Sequence, residues 1–97
     1  MDETGVLVVV EVQQIRDLDQ FKSYQAGARQ QIGKYGGVVF ARGGTQVEGA
    51  PAFGALMVQK WPSEQAFLDW QASDDYQPLR AIRRGCADLR ISIVPMI

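Results

Sequence analysis

A single arginine, held between two pairs of glycines, is the residue of this sequence best suited to chemistry. Gly36-Gly37 and Gly43-Gly44 bracket a short apolar run that ends at Arg42. Glycine permits sharp turns and the close approach of another group, and the run between the pairs is typical of a strand. A guanidinium presents a planar fork of donors that suits a carboxylate or an enolate-like oxygen. We therefore expect Arg42, at the end of a strand, to stabilise a negatively charged oxygen of a bound molecule. The alternatives are that Arg42 forms an ion pair with Glu48 or is simply exposed to solvent.

Four other residues are candidates for the same site. Glu48, in the loop after Arg42, would act as a general base if burial raised its pKa; a solvated charge is the alternative. Tyr24 and Tyr76 would donate hydrogen bonds into a cavity, or be core tyrosines with satisfied hydroxyls. Trp61 would wall an apolar pocket, or pack in the core or at a dimer interface. The predicted ligand-binding residues are Tyr24, Arg42, Trp61 and Tyr76, and the candidate catalytic residues are Arg42 and Glu48.

The sequence contains no histidine. Histidine is the commonest metal ligand and the usual general base near neutral pH, so its absence excludes serine and cysteine triads and His-ligated haem or zinc within this chain. Ser63 and Ser73 are most simply helix caps. Cys86 falls on an apolar stripe, which is typical of an inert buried thiol. We expect no metal and no cofactor.

Composition indicates an ordinary globular protein. The chain has 97 residues, of which 46% are apolar and 22% charged, and its formal net charge is −1. We predict one domain over residues 1–97. The lack of a basic tract argues against nucleic acid and anionic membranes as partners, and the apolar run Val6–Val10 is too short to span a bilayer. A lone cysteine fits a reducing compartment, so the expected location is the cytoplasm.

Periodicity predicts the order βαββαβ. Strands are expected at 6–12, 38–42, 53–61 and near 89–93, with helices opening at Asp17 and Ser63, a second cap at Ser73, and glycines ending the first helix. The first helix is predicted to bury Leu18, Phe21, Gln25, Ala28, Ile32 and Tyr35. This order indicates an α+β, ferredoxin-like fold with a four-stranded antiparallel sheet and two helices on one face. Because the strands are apolar on both faces, we predict a homodimer whose sheets pack face to face.

Several short motifs along the chain resemble one known family. They are Phe21-x-x-Tyr24, Tyr35-Gly36-Gly37, Ala41-Arg42-Gly43-Gly44, Glu48-Gly49, Trp61-Pro62-Ser63, and Ser73-x-x-Tyr76 followed by Leu79-Arg80. In this order and spacing they resemble domain-of-unknown-function family thirteen-thirty, of the dimeric α/β-barrel superfamily, over nearly the whole chain. The resemblance implies a ferredoxin-like fold and a dimer, but no settled activity. The chain departs from the family at Trp61, where phenylalanine is usual, at Asp74-Asp75, where Pro-Glu is usual, and at Pro78.

The superfamily resemblance also bears on function. Its broader relatives include cofactor-free monooxygenases, lactone isomerases and haem-degrading enzymes, whose chemistry lies between sheet and helices; several depend on a histidine that this chain lacks. We predict a homodimer that binds a small organic molecule in such a cavity. The alternative is a metal-free, monooxygenase- or isomerase-like enzyme for a small aromatic or carboxylated substrate, in which Arg42 stabilises developing charge and Glu48 or a tyrosine moves the proton. A purely structural dimer is the third hypothesis.

Overall fold

The structure, a computed structural model, describes residues 5–49 and 54–97. Its elements are β1 (Val6–Ile15), α1 (Leu18–Lys34), β2 (Val38–Gly43), β3 (Ala55–Trp61), α2 (Glu64–Ala72), α3 (Gln77–Cys86) and β4 (Ala87–Pro95). The predicted start of the third strand, Phe53, lies outside the described residues. Within the described part of the chain, no helix combines the length and apolar character needed to cross a membrane.

The strands form one four-stranded sheet in the order β2-β3-β1-β4, and each neighbouring pair is antiparallel. This confirms the predicted ferredoxin-like class. Alternate residues of β1 point to opposite faces, and Val6, Val8 and Val10 are buried in the main core cluster with residues of the helices. The helices therefore cover the face to which these valines point.

Local hydrogen bonds define the predicted helix starts. The Asp17 side chain accepts from the backbone N–H of Gln20 at 3.1 Å, and Ser63 Oγ accepts from that of Ala66 at 3.1 Å. Gly36, just after α1, has a φ of 97°, a left-handed conformation that glycine adopts without steric cost. The capping predictions at both helices are confirmed.

The predicted second helix is divided into α2 and α3, so three helices rather than two accompany the sheet. Ser73 causes the break, because its hydroxyl donates to the Trp70 carbonyl at 2.7 Å and accepts from the Tyr76 N–H at 3.2 Å. Pro78 lies in the first turn of α3, where its missing N–H has no helical partner to lose.

The buried face of α1 differs from the predicted stripe. Its buried residues are Phe21, Tyr24, Ala28 and Ile32, whereas Leu18 is 52% exposed. The reason is the position of α3, which packs so closely on α1 that a Cβ at Gly27 would lie 2.8 Å from Leu79 Cδ2. Because α3 covers this side of α1, Tyr24 belongs to the buried face of the helix.

The other face of the sheet carries apolar side chains that the helices do not cover. We call Leu7, Val9, Leu56, Val58 and Val94 the open sheet face. Cross-strand pairing joins Leu7 to Val94 and Val9 to Val58. Val94 is 42% exposed and the other four are half-buried. These apolar residues lie on β1, β3 and β4, and the same face also carries Glu11, Lys60, Ser92 and Arg90.

Candidate functional site

A cavity of about 140 Å³ lies between the sheet and the helices α1 and α2. Its walls are mostly apolar, and every strand of the sheet contributes to them. The apolar lining residues are Val10, Val12, Phe21, Ala26, Ala28, Ile32, Val39, Met57, Phe67, Trp70, Leu89 and Ile91. The polar and charged lining residues are Tyr24, Gln25, Arg29, Arg42, Gln59 and Gln71.

The cavity opens beside two arginines. Arg29, from α1, and Arg42, from β2, both line it and are both exposed. The ion pairs within residues 5–49 and 54–97 involve other cations, Arg16 with Asp88 and Lys34 with Asp75. No carboxylate from the described residues lines the cavity, so its opening carries uncompensated positive charge.

A β-bulge turns Arg42 toward the helices. In a regular strand, residues three apart point to opposite faces, yet Val39 pairs with Gln59 and Arg42 pairs with Met57, and all four residues line the cavity. The register shifts by one between Val39 and Ala41, which leaves Phe40 as the extra residue. A bulge of this kind redirects the side chains that follow it, and here it brings the guanidinium to the cavity.

Tyr24 and Tyr76 form a buried pair. Their hydroxyl oxygens lie 2.9 Å apart, and the two residues are 8% and 0% exposed. Burial raises the pKa of Tyr24 far above its ordinary value, and the positive charge of Arg83 opposes this only in part. Tyr24 lines the cavity and Tyr76 lies behind it, so the cavity wall includes a neutral, protonated phenol at physiological pH.

Trp61 lies behind the cavity wall. It is 1% exposed and stacks on Trp70 with ring centroids 5.5 Å apart, while Phe67 meets it edge-on at 5.3 Å. Its indole Nε1 donates to Gln59 Oε1 at 2.8 Å. Because Trp70, Phe67 and Gln59 line the cavity and Trp61 does not, Trp61 holds lining residues in place.

Glu48 is not near this group. It is exposed in the loop after β2 and does not line the cavity. Within the described residues it forms no ion pair with Arg42, and its backbone carbonyl accepts a hydrogen bond from the Gln46 side chain. The structure therefore brings Tyr24, Arg42 and Tyr76 together and leaves Glu48 apart.

The lining residues that sequence reasoning missed include Arg29 and Gln59. Arg29 follows Ala28 and lies three residues before Ile32, so it borders the buried face of α1. Gln59 is a polar residue that shares its strand face with Met57 and Trp61, and it is only 4% exposed. The signal for Arg29 is a charged residue beside the apolar stripe of a helix. The signal for Gln59 is an amide within an apolar strand.

The donor set suits an organic anion better than a metal ion. In the described part of the chain, no group of three or more Asp, Glu, Cys or His side chains could hold a metal. Cys86 is fully buried. An apolar cavity with guanidinium groups at its opening matches a ligand with an apolar body and an acidic end.

Solved structures with the same fold include proteins of known and unknown function. A protein of unknown function from Rhodopseudomonas palustris aligns with a TM-score of 0.83 at 15% identity, covering 99% of this chain and 85% of that one. The cofactor-independent oxygenase SnoaB from Streptomyces nogalater aligns with a TM-score of 0.72 at 13% identity, covering 97% and 94%. A dimeric ferredoxin-like protein of unknown function from Thermobifida fusca gives 0.60 at 15% identity, covering 99% and 94%.

At these identities the likeness shows the fold alone. No curated protein matches the sequence. A family model described as a domain of unknown function (DUF1330) matches residues 5–97. This match confirms the resemblance seen in the sequence motifs, and the chain belongs to that family.

Proposed function

We propose that this protein is a homodimer that binds a small organic molecule in the cavity between its sheet and helices. The supporting observation is the apolar cavity of about 140 Å³ that opens beside Arg29 and Arg42. Small-molecule sites are concave, mostly apolar, and carry a few polar groups that orient the ligand. An apolar cavity of about 150 Å³ is enough to hold a benzene-sized molecule.

Methionine methyl groups offer a direct test of binding. Met57 lines the cavity, whereas Met96 lies outside it and is 37% exposed. We expect some members of a library of neutral, anionic and cationic small molecules to shift the Met57 methyl resonance in a saturable way, while the Met96 resonance stays in place. The Met96 signal is thus an internal control for nonspecific effects.

A matched pair of variants locates the binding. Ala28→Leu adds volume at a buried lining position, and we expect it to weaken binding at least about ten-fold, since overfilling a packed site is costly. Ala81→Leu makes the same change at an exposed position of α3 and should bind as the wild type does. The proposal fails if no compound shifts Met57, or if Ala28→Leu binds as well as Ala81→Leu.

The dimer is supported by the open sheet face and by the description of the Thermobifida fusca neighbour as dimeric. Sedimentation at micromolar concentration should give a dimer for the wild type. Val9→Lys places a charge in the centre of this face and should give a monomer, because a buried unpaired charge is strongly unfavourable. Gln30→Lys, on an exposed position of α1, should stay dimeric. A monomeric wild type would contradict the proposal.

A metal-free enzyme is the second candidate. The protonated Tyr24, which lines the same cavity as Arg42, and the fold shared with the cofactor-independent oxygenase SnoaB favour it. Against it, the described residues that line the cavity include no Asp, Glu or Cys, and the sequence has no histidine. Without a side chain suited to accept a substrate proton, the cavity supports binding better than proton-transfer catalysis.

A further inference from the structure

We infer that the molecule bound in this cavity is a single-ring aromatic acid that carries a second oxygen acceptor away from its acid group. Para-hydroxybenzoate is the simplest compound of this class. The inference rests on the proposed function and specifies the chemistry of its ligand. Size, charge and the distribution of hydrogen-bond donors each support it independently.

Cavity size suits a ligand of about one ring. A volume of about 140 Å³ is close to the roughly 150 Å³ of an apolar cavity that holds benzene. Four aromatic residues line it, namely Phe21, Tyr24, Phe67 and Trp70. Aromatic rings pair well edge-on or offset, so a flat ring fits these walls better than an aliphatic chain.

The positive charge at the cavity opening favours a ligand with an acid group. Arg29 and Arg42 are the charged groups among the described lining residues, and neither is ion-paired within the described chain. A carboxylate can accept two parallel hydrogen bonds from one guanidinium. An amine at the same position would be repelled by both arginines, so the ligand's polar end is anionic.

The inner wall offers hydrogen-bond donors. Tyr76 is fully buried, and Tyr24 Oη is its hydroxyl partner within the described residues. When the Tyr76 hydroxyl donates to Tyr24 Oη, the Tyr76 proton has an acceptor. The Tyr24 hydroxyl can then donate its own proton to a ligand in the cavity that Tyr24 lines. This arrangement avoids a buried hydroxyl proton with no acceptor, which would be costly.

Gln59 adds a second donor. Its Oε1 accepts from the Trp61 indole, and within residues 5–49 and 54–97 its Nε2 has only the Met57 sulfur as a partner, 3.6 Å away. The acceptor of another lining residue, Gln71, is taken by Arg80. Gln25 alone among the lining amides keeps a free oxygen in the described hydrogen-bond network. A ligand whose inner end carries an oxygen acceptor can therefore form more hydrogen bonds with these residues than a ligand that carries only a donor there.

The charged and neutral donors lie at different positions along the strands. Arg42 pairs with Met57, and Gln59 lies two residues further along β3, which is about 7 Å along a strand. The acid end would thus lie toward Arg42 and Arg29, and the second oxygen toward Gln59 and Tyr24.

The test compares matched ligands by their effect on the Met57 methyl resonance. Para-hydroxybenzoate should bind at least about ten-fold more tightly than para-hydroxybenzamide, its neutral analogue, because a charged hydrogen bond contributes more than a neutral one. Benzoate, without the second oxygen, should bind several-fold more weakly, and tyramine, a cation, should not bind. Raising the salt concentration should weaken binding of the acid but not of the amide.

Arginine variants assign the acid end. Arg29→Gln and Arg42→Gln should each weaken para-hydroxybenzoate binding about ten-fold or more, and should leave binding of the amide nearly unchanged. Arg84→Gln, which removes the same charge from an exposed position outside the cavity, should have no effect. Since Arg29 and Arg42 are exposed, these variants should fold, and thermal denaturation checks this.

The outcomes separate this inference from the proposed function. Equal binding of the acid and the amide, or unchanged acid binding in Arg29→Gln and Arg42→Gln, overturns the ligand class and leaves small-molecule binding in the cavity intact. A preference for cationic or aliphatic compounds does the same. If no compound of any class shifts Met57, the proposed function and this inference fail together.

Discussion

Replacing Trp61 with alanine is expected to lower the free energy of unfolding by about 3–5 kcal/mol. Trp61 is 1% exposed and lies between Trp70, Phe67 and the sheet, so removing its indole leaves a large void in the core. The remaining structure can relax only in part around such a void. Urea denaturation followed by far-ultraviolet circular dichroism, at one fixed protein concentration, measures the change.

Trp61→Phe is the matched control for this prediction. It keeps an aromatic ring at a position where the family resemblance makes phenylalanine usual, but it removes the Nε1 donor and leaves Gln59 Oε1 without its partner. An unsatisfied buried acceptor costs about 1–3 kcal/mol, so the expected loss is smaller than for Trp61→Ala. A Trp61→Ala variant within about 1 kcal/mol of the wild type, well below the expected cost of such a cavity, would contradict this account of the core.

Gly37→Ala is expected to destabilise the protein by about 1–3 kcal/mol because it overpacks the same region. Gly37 is buried, and a Cβ there would lie 2.5 Å from Trp61 Cε2 and 2.8 Å from Ile32 Cγ2. Both neighbours are core side chains, and the indole is a rigid ring held by its stacking on Trp70. The clash therefore requires a shift of the core rather than a simple rotamer change.

Gly33→Ala provides a comparison, because this substitution is expected to stabilise the protein rather than destabilise it. Gly33 lies in α1 and is exposed, and a Cβ at this position would have no heavy atom of another part of the described chain within 4 Å. Alanine should stabilise the helix there by about 0.5–1 kcal/mol. Thermal denaturation of both variants at equal concentration tests the pair. If Gly37→Ala does not lower the melting temperature, the steric role assigned to Gly37 is wrong.

The parts of the fold that depend on neighbouring residues were predictable. Asp17 and Ser63 begin helices because their side chains accept from N–H groups three residues later, and the glycines after Tyr35 end α1 through a left-handed conformation. The element order βαββαβ and the ferredoxin-like class followed from the periodicity of apolar residues. The break between α2 and α3 was partly visible, since a second cap was expected at Ser73, but the predicted fold still counted two helices.

The buried face of α1 shows the limit of periodicity. Spacing alone predicted a buried stripe through Leu18 and Gln25 that leaves out Tyr24, whereas the structure buries Tyr24 and exposes Leu18. The choice depends on where α3 packs, and the contact between Gly27 and Leu79 joins parts of the chain that are far apart in sequence. Local pattern cannot decide between two faces that differ by a small rotation of the helix.

The sequence by itself determined that Arg42 stands at the end of a strand between two pairs of glycines, and that no histidine is present to share its chemistry. Only the tertiary structure decided what Arg42 faces. The bulge at Phe40 turns it to the cavity, α1 brings Arg29 to the same opening, and Glu48 is left in solvent. Tyr24 and Tyr76, 52 residues apart, meet behind the wall. Such contacts depend on the packing of whole elements against one another, which residue spacing within a single element does not encode.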